Sequence, residues 1–280
     1  VSDPLVDRLR AAGCVFAEDE ATLLRAEAPD DAVLESWVRR RVAGEPLEVL
    51  VGWAEFAGLR VTVAPGVFVP RARTALLVRE AVGHLAGRDG RAPSAGRPGV
   101  VVDLCCGTGA VGLAVVTRVP GTVLHAVDLD PAAVACARTN LEPCGATVHE
   151  GDLDAPLPAE LRGRVDVLVA NAPYVPTDAI AGMPPEARDH EARVALDGGA
   201  DGLDVLRRVV ALAPRWLAPG GVVVVEVGRP QIPTLTAAAQ DAGLVPRIVQ
   251  DRDLGATALV AVMGSSPAAA AGMEQPAPTG

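Results

Sequence analysis

Apolar residues recur along this chain with two different periods, and the change of period divides it. Over residues 3–43 they return at helical spacing. The clearest helix starts at Asp30 or Asp31 as N-cap, aligns Val33, Leu34, Trp37, Val38 and Val42 on one face, and stops at Gly44. Its polar face carries Arg39 and Arg40, which read as a solvated face near a helix C-terminus, where cations suit the dipole. A docking surface for an acceptor protein is the alternative for that pair.

Residues 49–56 and 59–63 read as two strands joined at Ala57 and Gly58, a hairpin after the helices. From Thr74 a helix carrying Leu77, Val78 and Val82 leads into a Gly-, Pro-, Ser- and Arg-rich stretch at 87–99, expected to be a mobile surface loop. After it, apolar runs at 100–104, 122–128, 147–149, 165–170, 222–227, 244–249 and 257–263 are strand-like, with helical segments between most of them. Strands alternating with helices predict an α/β fold with an open, doubly wound, mostly parallel sheet. The connection between the last two runs, residues 251–255, is too short for a crossover helix, so the last strand is expected to run antiparallel.

The expected organisation is a helical domain over 1–45, a hairpin linker over 46–73, a catalytic domain over 74–263 and a disordered tail over 264–280, rich in Ala, Pro, Ser and Gly. Composition fits this. Half of the residues are hydrophobic and only 2% are aromatic, so Val, Leu and Ala must build the core, as suits buried parallel strands. Arginine supplies all the positive charge, the formal net charge is −10, and an acidic surface disfavours tight, nonspecific binding to phosphate backbones. The five cysteines show neither a Cys-x-x-Cys pair nor a Cys/His cluster, so no metal site and no disulfide framework are expected. With no signal-like N-terminus and no apolar span of membrane length, a cytoplasmic protein without a membrane partner is expected.

Chemistry concentrates at strand ends. The strand at 100–104 carries Asp103 and runs into Cys105, Cys106, Gly107, Thr108 and Gly109, small residues that let a backbone approach a ligand closely. The next strand ends at Asp128, 19 residues beyond Gly109 (109 to 128), the spacing of an acid that holds ribose hydroxyls. Gly107, Gly109 and Gly112 also match the dinucleotide letter pattern, so spacing alone leaves a nicotinamide dinucleotide open. Asp103 argues against it, because a carboxylate there repels a pyrophosphate but accepts a hydrogen bond from an amino-acid ammonium, as in S-adenosylmethionine (AdoMet). After the third strand, Asp152 and Leu153 read equally well as the wall of an adenine pocket and as part of a simple turn.

The fourth strand exits into Asn171, Ala172, Pro173 and Tyr174. An amide or exocyclic amine nitrogen is a poor nucleophile because its lone pair is delocalised. The Asn171 side-chain oxygen and the Ala172 carbonyl are candidates to accept both N–H hydrogens and aim that nitrogen at a methyl donor. Pro173 stiffens the loop, and Tyr174, the only tyrosine, offers a π face to a planar group. Asn and Pro are ordinary turn residues, and it is their place beside the expected cofactor that favours function.

At these residues the chain resembles the HemK/PrmC protein-(glutamine N(5)) methyltransferases, which modify the Gly-Gly-Gln glutamine of peptide chain release factors. The resemblance extends to about residue 263 and takes in Gly44-Glu45-Pro46-Leu47, Phe68-Val69-Pro70-Arg71, Asp103 to Gly109, Ala126-Val127-Asp128, Gly151-Asp152-Leu153, Asn171 to Tyr174, Ala195 to Gly199, Asp201-Gly202-Leu203 and Pro219-Gly220-Gly221. It implies AdoMet contacts at residues 105–109, Asp128, Leu153 and Asn171, an acceptor glutamine held at residues 171–174, and a release factor as partner. Two positions depart from the family pattern: Ala172 replaces a proline, and Arg73 stands where the family has a glutamate. The same Asn-x-Pro-Tyr geometry would serve an adenine amine in a nucleic acid, and the departures leave room for a small metabolite as acceptor.

Overall fold

The computed structural model describes residues 3–87 and 97–264. Most of the stretch expected as a mobile loop, 87–99, and of the expected tail, 264–280, therefore lies outside the described residues. The chain opens with α1 (Pro4–Ala11), α2 (Ala17–Glu27), α3 (Asp31–Val42) and the short α4 (Leu47–Val51). Asp30 caps α3, its carboxylate accepting from the Val33 amide at 2.8 Å. Leu5, Leu9, Leu24, Val38 and Leu50 form a separate small core among these helices.

Residues 49–51 correct one expectation, since they belong to α4 and not to the strand expected over 49–56. Pro46 stands at its N-cap, and Gly52, at φ 82°, receives the chain in a left-handed turn whose amide bonds the Glu48 carbonyl. The hairpin is shorter than expected, β1 (Trp53–Phe56) pairing with β2 (Leu59–Thr62). Then α5 (Ala75–Leu85) leads to β3 (Val100–Leu104), α6 (Ala110–Arg118), β4 (Val123–Asp128), α7 (Pro131–Leu141), β5 (Thr147–Glu150) and β6 (Val165–Ala170). A one-turn helix α8 (Pro185–His190), which the hydrophobic pattern did not reveal, precedes α9 (Asp204–Trp216), β7 (Leu217–Glu226), α10 (Ile232–Asp241), β8 (Leu244–Asp251) and β9 (Ala256–Met263).

The seven-stranded sheet has the order β5-β4-β3-β6-β7-β9-β8. Only β9 opposes its neighbours, as the short connection before it requires. Both faces are covered. Val102, Leu104, Leu168 and Val223 point into a core shared with α9 and α10, whereas Val101, Val167, Val169 and Val224 pack with α5 and α6. The strand order reverses between β3 and β6, and a crevice lies outside their carboxyl ends.

Candidate active site

That crevice is a cleft of about 1060 Å³ including its open mouth. Of the cofactor and acceptor residues expected from the sequence, all but Gly109, Ala172 and Tyr174 line it. Gly109 acts from behind. At φ 76° it opens α6, and a Cβ there would meet the Leu141 side chain at 2.7 Å, so only glycine lets α6 and α7 close on the loop. Ala172 is buried, and Tyr174 packs against the core beside the cleft.

At the floor, the Asp103 carboxylate is buried and accepts a single short bond, 2.9 Å from the Gly112 amide. Burial pushes its pKa up to about 7, with the nearby Asp128 charge adding to the rise and the Gly112 bond opposing it. A carboxyl so poorly solvated is suited to receive a ligand cation. Asp128, at the end of β4, accepts from Gly107 at 2.8 Å and from Asp130 at 3.0 Å, so it braces the glycine loop while lining the cleft; burial raises its pKa as well. Cys105 (φ 53°) and Leu153 (φ 50°), both lining the cleft, hold left-handed backbone that side chains rarely adopt. The thiols of Cys105 and Cys106 are raised by burial, which suits wall residues and not nucleophiles. Asp152 lines the cleft and pairs with Arg208 of α9 at 2.8 Å.

This arrangement fits AdoMet. The buried Asp103 beside the glycine loop could take an ammonium, Asp128 at the end of β4 could take ribose hydroxyls, and Val127, Leu129 and Leu153 give apolar wall that would suit a purine.

The opposite wall was largely hidden in the sequence. It is built by residues 66–70, Thr74 and residues 192–195. Those segments are joined by the amide of Ala192 on the Gly66 carbonyl and by the buried Glu191, which accepts from the Val69 amide and the Arg71 guanidinium. No local pattern flags Glu191 or Glu226. The register of β6 on β7 pairs Ala170 with Val225, which sets Asn171 beside Glu226 at neighbouring strand ends. Glu226 is buried and accepts from Tyr174 Oη at 2.8 Å, Arg73 Nε at 2.8 Å and Thr74 Oγ1 at 2.7 Å. Arg73 thus answers a charge within the protein. The Tyr174 hydroxyl is committed to Glu226, and burial with that neighbouring charge raises its pKa.

The loop after β6 is fixed from below by residues 195–203. The Val175 amide bonds the Leu196 carbonyl and the Gly198 amide bonds the Val175 carbonyl. At Gly202 (φ 74°) a Cβ would lie 2.3 Å from the Tyr174 carbonyl, so the two loops touch backbone to backbone. Gln231 Nε2 donates to that same carbonyl at 2.9 Å.

Comparison with known proteins agrees with this chemistry. The Methyltransferase small domain model matches residues 91–183. The release factor glutamine methyltransferase of Streptomyces coelicolor is 42% identical over 200 residues, covering 71% of this chain and 69% of that protein. That of Mycolicibacterium smegmatis is 40% identical over 230 residues, covering 81% and 78%. A 4-amino-L-phenylalanine/4-methylamino-L-phenylalanine methyltransferase of Streptomyces pristinaespiralis is 38% identical over 200 residues or so, covering 72% and 67%. With a doubly wound sheet, a cleft at its switch point suited to AdoMet, and such identity over most of both chains, this chain belongs to the release factor glutamine methyltransferase family, whose members are AdoMet-dependent enzymes.

Proposed function

We propose that this enzyme methylates the side-chain amide nitrogen of a glutamine in a protein, and that the protein is a peptide chain release factor. The observation that carries the reading is the position of Asn171, which directly follows β6 and lines the same cleft as Asp103 and Asp128. AdoMet, when bound, supplies an electrophilic methyl group. Everything else falls to the chain. Asn171 Oδ1 and the Ala172 carbonyl accept the two N–H hydrogens of the acceptor amide, turning its lone pair toward the donor and favouring the positive charge that builds on nitrogen. Pro173 and Tyr174 hold this loop and border the acceptor. Asp103 receives the ammonium, Asp128 the ribose hydroxyls, and Leu153 packs on the purine.

A release factor is met where translation takes place, so this reading puts the enzyme in the cytoplasm. No helix among the described residues is long and apolar enough to cross a membrane. A second reading, methylation of a small aromatic amine, is supported by the similarity to the 4-amino-L-phenylalanine enzyme. One experiment separates the two. Purified enzyme with methyl-labelled AdoMet is offered a release factor and, separately, 4-amino-L-phenylalanine, and products are read by mass spectrometry. Label on the Gly-Gly-Gln glutamine is expected; label on the amino acid alone would overturn the main reading.

A further inference from the structure

We infer that Thr74 and Glu226 are positioning residues that fix which way round the Asn171 amide stands. The inference rests on the reading of Asn171 as an acceptor-orienting group and goes beyond it.

An Asn side chain presents an oxygen at one end and an NH₂ at the other, and the two ends are nearly the same size. Only the oxygen can accept from a substrate N–H, so a loop that holds Asn171 in place without choosing its orientation leaves part of the population unable to act. The surroundings make that choice. Asn171 Nδ2 faces Thr74 Oγ1 at 3.4 Å, and the Thr74 hydroxyl donates its single hydrogen to Glu226 Oε2 at 2.7 Å. With its hydrogen committed, Oγ1 turns only lone pairs toward Asn171. The NH₂ end is attracted there and the oxygen end repelled, which leaves Oδ1 for the cleft.

Glu226 is well suited to commit that hydrogen. Its side chain is 4% exposed, and its other oxygen already takes Tyr174 Oη and Arg73 Nε, so the carboxylate is held from three directions. Thr74 is itself buried and stands on the cleft wall. Arg73 offsets the buried charge that this arrangement requires. The chain Arg73–Glu226–Thr74–Asn171 thus spans residues far apart in sequence, and its end is the one group that the methyl-transfer reading needs oriented.

Thr74→Val keeps the shape of the side chain and deletes the hydroxyl. The single-turnover rate of methyl transfer is expected to fall about twofold, as a population held almost wholly in the competent orientation becomes evenly divided between two. AdoMet affinity, measured by calorimetry, and melting temperature should stay close to wild type, and Thr74→Ser should restore the rate. Because Thr74 acts through Asn171, the double variant Asn171→Ala/Thr74→Val should be no slower than Asn171→Ala alone. A wild-type rate in Thr74→Val, a loss confined to AdoMet affinity, failure of Thr74→Ser to restore it, or additive losses in the double variant would each overturn the inference. An Asn171→Ala enzyme with the wild-type rate would instead overturn the reading beneath it.

Discussion

Asp103 offers a pH test of the cofactor site. It is buried, has one amide donor, and its pKa is pushed from 3.8 up to about 7. A carboxyl whose folded pKa is raised binds more protons in the folded than in the unfolded chain. Its contribution to stability is therefore unfavourable once ionised, growing as pH rises from about 4 and levelling off above about 7 at roughly 4 kcal/mol. A cation placed against Asp103 relieves that penalty only when the carboxylate is charged. A group with pKa near 7 is ~9% ionised at pH 6 and ~76% at pH 7.5, while an α-amino group goes from almost wholly to about two-thirds protonated, so AdoMet should bind about sixfold more tightly at the higher pH. The window stops at pH 7.5 because an α-amino group itself titrates near ~7.7–8.0. Calorimetric titration of AdoMet across this range, on the wild type and on Asp103→Asn, isolates the effect: Asn can still accept from Gly112 but does not ionise. The variant should bind more weakly and with a flatter pH profile. A wild-type affinity that does not change between pH 6 and 7.5, or an equal slope in the variant, would refute the assignment of Asp103 to the ammonium.

Three further outcomes are expected. Asn171→Ala should lower methyl transfer by about 10²–10⁴-fold with the fold retained, as for loss of one preorganised hydrogen-bonding group, checked by single-turnover kinetics beside circular dichroism. Arg41, buried between Glu20 of α2 at 2.6 Å and Glu186 of α8 at 2.6 Å, joins the N-terminal helices to α8; Arg41→Ala strands the buried Glu20 and should destabilise by about 3–5 kcal/mol in denaturant unfolding. Gly202→Ala forces a Cβ against the Tyr174 carbonyl on left-handed backbone, and should cost about 1–3 kcal/mol in stability while slowing methyl transfer.

The sequence by itself determined the layered sheet, because parallel strands buried on both faces must be almost wholly apolar, and 165–170 or 222–227 announce themselves without reference to anything else. It determined the antiparallel β9, since five residues do not allow a crossover. It also placed Asp103, Cys105 to Thr108 and Asn171 at strand ends, and the structure brings them onto one cleft. Residues 49–51 differ from the expected strand because three apolar residues in a row carry no period that tells helix from strand; Pro46, the left-handed Gly52 and packing of Leu50 on the N-terminal helices decided it. What only the tertiary structure decided depends on strand order and on partners distant in the chain. Asn171 stands beside Glu226 because β6 pairs with β7, and Thr74 reaches both across a sequence separation of 152 residues to Glu226 and 97 to Asn171. Arg73 likewise looked like a charge reversal at the acceptor until the fold put a buried carboxylate beneath it. Hydrogen bonds act over about 3 Å of space, and no pattern along a single chain reports which distant residues will come that close.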